Sequence, residues 1–257
     1  MRQTQLGRLR QRGIRVSLRL FRPHSIVLRW IGVLLATAGP QAQSLGVSSP
    51  RDLLATDPGI FAERLEAARP APVSALDKAR ALASLPEEGE VASLAVAARQ
   101  KLATLSRVIR AADRESVYEV KIISVPQAAV ALHARAVLLI SERALTLLSA
   151  VELQAVVAHE IGHEYVWSEY EQAKRSADRH RRRQLELMCD AIAVVMLHRI
   201  ELDASGLTRG VEKMSRFNRD RLGTALNEAD YPTVAERREQ ARAVEAWMSL
   251  RPRDRKG

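Results

Sequence analysis

The 257-residue chain has one cysteine, Cys189, only 4% aromatic residues, and no stretch of eighteen uninterrupted apolar residues. A single cysteine excludes an internal disulfide, and its position far from the N-terminus excludes lipoprotein attachment there. The missing long apolar run argues against a multi-pass membrane protein, while 47% apolar and 27% charged residues argue against a disordered polyelectrolyte. Length alone suits one domain or two small ones with a real core. Glycine and proline are both absent between His163 and Ser205, so any bend there must come from polar connectors.

Acidic residues and lysine are absent from positions 1–42, which instead carry eight arginines. Removing those eight from the 40 basic residues leaves 32 against 30 acidic ones, so the net charge of +10 belongs mainly to the N-terminus. A nucleic-acid partner thereby loses its main support. The basic stretch runs into an apolar segment, Ser25 to Ala38, that ends in small residues and is followed by Gly39 and Pro40. This is the layout of a secretory signal over 1–42, cleaved after Ala38 or Ala42, which predicts a periplasmic or secreted protein. An uncleaved anchor in the inner membrane is the alternative, and membrane association is expected only in that case. No adjacent arginine pair occurs there, which disfavours twin-arginine export.

Residues 43–86 read as a linker, Ser/Pro/Gly/Asp-rich over 44–58, followed by short helices around Gly59–Ala68 and Ser74–Leu85. Pro86 opens a predicted longer helix over about 90–113, with Leu94, Leu102, Leu105, Val108 and Ile109 on its apolar side. Two β-branched or compact apolar runs, Val117–Pro126 and Ala136–Ser141, predict two strands of a small sheet. Everything after Ser141 reads as helical. Thr233 and Glu236 have capping-box spacing and start a predicted helix over about 234–249, and the basic tail 251–257 is expected to be disordered.

The chemistry-bearing segment follows Ser149, which with Glu152 forms another capping-box signature. The helix it launches contains His159-Glu160-Ile161-Gly162-His163. Residues four apart project from one helix face, so both imidazoles can share one ion, with Glu160 placed to take a proton from metal-bound water. A chance match is the competing reading. Against it stands the apolar turn Ala155–Ala158, which predicts burial of a helix whose polar side chains then need partners.

A hydrolytic zinc site takes three protein ligands. The residues after His163 lack the third histidine of the metzincin pattern. Glu186 and Asp190, spaced i and i+4 on an otherwise apolar helix from Leu187 to Leu197, offer an answer. Glu186 can be the third ligand and Asp190 can accept the ring N–H of a ligating histidine. The plainer alternative leaves Glu186 in solvent and pairs Asp190 with one of Arg181 to Arg183.

These residues resemble the forty-eighth metallopeptidase family, the HtpX, Oma and CAAX prenyl protease group of zinc endopeptidases. The likeness lies in Glu152-Leu153-x-Ala155-Val156-x-Ala158-His159-Glu160-x-Gly162-His163, in Glu186-x-x-x-Asp190-Ala191, and in Tyr231-Pro232 with Glu236-Arg237. It covers roughly residues 87–245. Cys189 stands where the family has alanine, and Tyr231 where it has histidine. Only 22 residues separate His163 from Glu186, leaving no room for inserted membrane helices. The resemblance implies an α+β, mostly helical, zincin-like domain over 87–250 with a small sheet beside the active-site helix.

The implied activity is zinc-dependent endopeptidase cleavage of exported or membrane-associated proteins, with one zinc per chain held by His159, His163 and Glu186. Glu160 is then the general base, Asp190 the partner of a ligating histidine, and Tyr231 and Arg237 the candidate oxyanion donors. A protein or peptide substrate should lie extended against the sheet edge. The rival from another class is a catalytically inactive zinc-binding scaffold with an interaction or chaperone-like role. The charged stretch Ser168–Gln184 reads as a solvated helix face. His133, His180 and His198 read as surface or structural residues, and Cys189 as a small buried residue, with a redox or inhibitory ligand as the bolder alternative.

Overall fold

A computed structural model describes residues 45–85, 93–223 and 231–249. The expected signal over 1–42 and tail over 251–257 lie outside the described residues. Among the described residues the chain is mostly helical with one small mixed sheet. No helix among them is long and apolar enough to cross a membrane.

Four short helices precede a fifth and the sheet: α1 (Pro50–Leu54), α2 (Pro58–Ala67), α3 (Ala75–Ala83), α4 (Val96–Ala103) and α5 (Ser106–Ala111). α1 falls inside the stretch 44–58 expected as a linker, while α2 and α3 fall where short helices were expected. Ser49 caps α1 and Pro50 sits in its first turn, where a missing N–H costs nothing, and Leu53 is fully buried. Phe61 and Leu65 of α2 join the same core, so this segment packs as part of the folded body. The single helix expected over 90–113 is two helices, α4 and α5, with a turn at Thr104 and Leu105; residues 90–92 lie outside the described residues.

The sheet has the order β1-β3-β2, with β1 (Glu119–Ile123) parallel and β2 (Val130–His133) antiparallel to the central β3 (Val137–Ser141). All five residues of β3 are buried. Side chains alternate across a strand, so Leu138 and Ile140 enter the main core while Val137 and Leu139 meet Ala81 of α3 on the opposite face. β2 was not expected from sequence. Its four residues include an alanine and a histidine, and its hairpin to β3 turns on Ala134 and Arg135, both at positive φ, where asparagine and glycine are the usual signal.

Helices make up the rest: α6 (Glu142–Leu147), α7 (Ala150–Tyr165), α8 (Trp167–Arg175), α9 (Arg179–Arg199), α10 (Gly206–Leu222) and α11 (Val234–Met248). Both predicted capping boxes form, Ser149 with Glu152 on α7 and Thr233 with Glu236 on α11. The bends without glycine or proline fall at Val166, at Ser176–Asp178, where Asp178 caps α9 and Ala177 takes positive φ, and after Arg199, where Glu201 takes positive φ. α7 is the central helix, packed by α9, α10 and β2. Gly162 makes the α7–α9 contact close: a Cβ there would stand 3.0 Å from the Cys189 carbonyl oxygen.

Candidate metal centre

α7 carries His159, Glu160 and His163, whose ligand atoms lie within 4.8 Å of one another, and this group could hold a metal ion. His159 is buried and the other two are half-buried. α9, held close through Gly162, brings Glu186 to the same place. Its Oε2 is 3.3 Å from His159 Nε2 and its Oε1 is 3.8 Å from His163 Nε2. A tetrahedral ion about 2 Å from each ligand sets ligand atoms about 3.3 Å apart, so two imidazole nitrogens and one carboxylate are close to a coordinating spacing.

Around these donors most polar atoms have a defined partner, the exceptions being Asp190 Oδ2 and Arg237 Nε, which are buried without one. His159 Nδ1 lies 2.7 Å from Asp190 Oδ1, one turn beyond Glu186 on α9. That contact assigns a proton to Nδ1 and turns Nε2 toward Glu186. The expected pairing of Asp190 with a ligating histidine therefore occurs, and the alternative through Arg181 to Arg183 does not: Arg181 donates to the Ser48 carbonyl and Arg183 pairs with Glu236. Those arginines are half-buried ties rather than a solvated face.

Arg237 of α11 is 5% exposed, and its guanidinium spans the two acids. Nη1 donates to Asp190 Oδ1 at 2.5 Å and Nη2 to Glu186 Oε2 at 3.0 Å. Expected as an oxyanion donor, it has both terminal nitrogens committed to carboxylates, so its visible work is to orient them. Tyr231 lies beside Tyr170, to which it is hydrogen-bonded, and burial pushes its phenol up to about 12.

Tyr170 is the site residue that the sequence reading missed. Its hydroxyl donates to Glu186 Oε1 at 2.9 Å, and its ring stands edge-on to His163 with centroids 4.8 Å apart. The available signal was the spacing Val166, Tyr170, Ala173, a helical apolar stripe inside a charged stretch. Cys189 is fully buried, with Sγ 3.4 Å from His163 Nδ1, the ring nitrogen turned away from Glu186. That places the thiol behind the imidazole rather than among the converging donors, and burial pushes its pKa well up.

The electrostatics favour positive charge between the donors. Burial alone would lower the His159 pKa, but its hydrogen bonds to the Asp190 and Glu186 carboxylates overcome that and push it up to about 10. Burial likewise resists ionisation of Glu186, yet His159, His163 and Arg237 hold it well below the ordinary carboxylate range. A pair that binds a proton this strongly also attracts a divalent cation, and nitrogen with carboxylate oxygen is a donor set suited to one. Burial lowers His163 to about 4, so its Nε2 is an available lone pair at neutral pH. It raises Glu160 to about 7, and Glu160 Oε2 accepts the Leu132 N–H of β2 at 3.1 Å.

The other histidines among the described residues stay apart from these donors. His133 ends β2 with Nε2 3.0 Å from Ser84 Oγ, His180 is exposed beside Gln184, and His198 is exposed. No protein-family model matches the chain, and no curated protein matches it significantly.

Proposed function

We propose that the chain is a zinc-dependent endopeptidase with a zincin-like domain, acting on exported or membrane-associated proteins in the periplasm or outside the cell. The observation that carries this reading is the convergence of His159 Nε2, His163 Nε2 and the Glu186 carboxylate from two helices, with Asp190 on the far nitrogen of His159. The likeness of these segments to the HtpX, Oma and CAAX prenyl protease group supports the same conclusion.

His159, His163 and Glu186 would hold the zinc ion. Bound there, zinc would supply Lewis acidity, polarising a scissile carbonyl and acidifying water. Glu160, raised toward neutrality by burial, is poised to take a proton from water and later give it to the leaving amine. Asp190, Arg237 and Tyr170 fix the ligands' orientation. Tyr231, buried beside Tyr170, is the candidate donor to the tetrahedral oxyanion. The substrate would add as an extended strand to β2, the edge strand nearest Glu160.

Metal analysis combined with peptide digestion by wild type and Glu160→Gln tests this. The expected result is one zinc per chain in both proteins and a loss of cleavage of about a thousandfold or more in the variant. Stoichiometric metal with no Glu160-dependent cleavage would overturn the enzyme reading in favour of a metal-binding scaffold.

A further inference from the structure

The outward edge of β2 is held at two points by side chains of the chain itself. In an extended strand the backbone groups of successive residues face opposite sides, so every second residue presents N–H and C=O to the same edge. Ala129 faces inward, because Ser141 N donates to its carbonyl at 2.9 Å and its own N–H donates to Ser141 Oγ at 2.9 Å. Ala128, Val130 and Leu132 therefore face outward. Leu132 N–H is taken by Glu160. At the other end Asn218 of α10 pairs with Ala128 twice: its Oδ1 accepts the Ala128 N–H at 2.8 Å and its Nδ2 donates to the Ala128 carbonyl at 3.0 Å. A side-chain amide carries the same donor and acceptor as a peptide unit, so Asn218 stands where the backbone of an added strand would otherwise pair.

We propose that Asn218 is a specificity-determining residue that ends the substrate-pairing edge at Ala128, confining a bound peptide to backbone pairing with Val130 and the Leu132 carbonyl. This rests on the peptidase reading above. The distance from Ala128 to Leu132 is about 13 Å along an extended chain, so the edge between the two side chains spans only a few substrate residues. A strand adding antiparallel to β2 runs its C-terminus toward Ala128. Residues on the C-terminal side of the scissile bond are accordingly held by backbone pairing for about two positions, and longer extensions add no pairing.

The test measures binding and cleavage of a nested series of synthetic peptides, extended two residues at a time at either end. Binding is measured on zinc-loaded Glu160→Gln protein with and without Asn218→Ala, and cleavage with active Glu160 in both backgrounds. With Asn218 present, C-terminal extension beyond about two residues should leave Kd and KM within about twofold. With Asn218→Ala, the next two residues should tighten binding about fivefold through the freed Ala128 groups. Asn218→Asp keeps the acceptor for the Ala128 N–H but sets a carboxylate against the carbonyl, and should still block extension; thermal melts check that each variant folds. Amide hydrogen exchange at Ala128 should speed up in Asn218→Ala without peptide and slow again with the long peptide. Identical length dependence in both backgrounds would overturn this inference alone. Peptides neither bound nor cut by any of the proteins would overturn the peptidase reading and this inference with it.

Discussion

Asp190 shows how much one buried carboxylate organises. One of its oxygens meets both His159 Nδ1 and Arg237 Nη1, so it fixes the imidazole that faces Glu186 and half-neutralises the guanidinium that holds Glu186. Replacing Asp190 by alanine should weaken metal affinity about 10- to 100-fold, measured by chelator competition. An unchanged affinity in a folded variant would show that Glu186 and the two histidines are oriented without it. The pairing was legible in sequence because an acid inside an apolar helix demands a partner. Arg237 was legible as a site residue but not in its role: only the distance to Glu186 shows that its charge is already used. Tyr170 was not legible, since a tyrosine within a charged helix has no obligatory partner until the neighbouring helix is in place.

At the scale of elements, the site depends on how near α7 and α9 approach. Gly162→Ala would drive a methyl inside van der Waals contact of the Cys189 backbone, 3.0 Å from its carbonyl oxygen and 3.1 Å from its Cα, so the backbone must shift. The expected cost is about 1–3 kcal/mol by denaturant titration, with weaker metal binding because Glu186 is displaced from the histidines. The α7 start gives a pH prediction. Burial resists ionisation of Glu152, but Lys213 and the Ser149 backbone hold its pKa below the ordinary 4.5. A depressed folded pKa contributes stability that is present above the unfolded value and is lost as pH falls through the folded one. Glu152→Gln should therefore lower stability at neutral pH and flatten the loss below about pH 4.5, measured as the melting temperature across pH. Both capping boxes were legible from local spacing alone, whereas β2 was not, because its turn lacks asparagine and glycine and its pairing partner supplies the order.

Among the described residues, ion pairs and buried charges join segments far apart in sequence. Arg114 and Arg135 both reach Glu164 at the end of α7, while Arg114 also donates to the Pro70 carbonyl and Arg135 to that of Ala71. The segment before the sheet is tied in this way to the helix that carries the histidines. A metal ion bridging α7 and α9 should add to the same cohesion by mass action. Zinc at a thousand times its dissociation constant would stabilise the folded chain by about 4 kcal/mol, seen as a melting temperature that rises with zinc and falls on chelation. A melting temperature indifferent to zinc would argue that the donors hold no ion.

Sequence by itself determined the periodicities, the caps, the His159-Glu160-x-x-His163 face and the acids at Glu186 and Asp190, because each follows from spacing within one helix. The +10 charge was likewise located at the N-terminus by counting. Tertiary structure decided which helices meet and so which side chains share charge: Tyr170 on Glu186, Arg237 between two carboxylates, Cys189 behind His163, and Asn218 on the edge of β2. The physical reason is range. Helical repeats and caps are set by neighbours within about four residues, while a hydrogen bond between residues 90 apart, as from Ala128 to Asn218, exists only after packing has fixed both backbones.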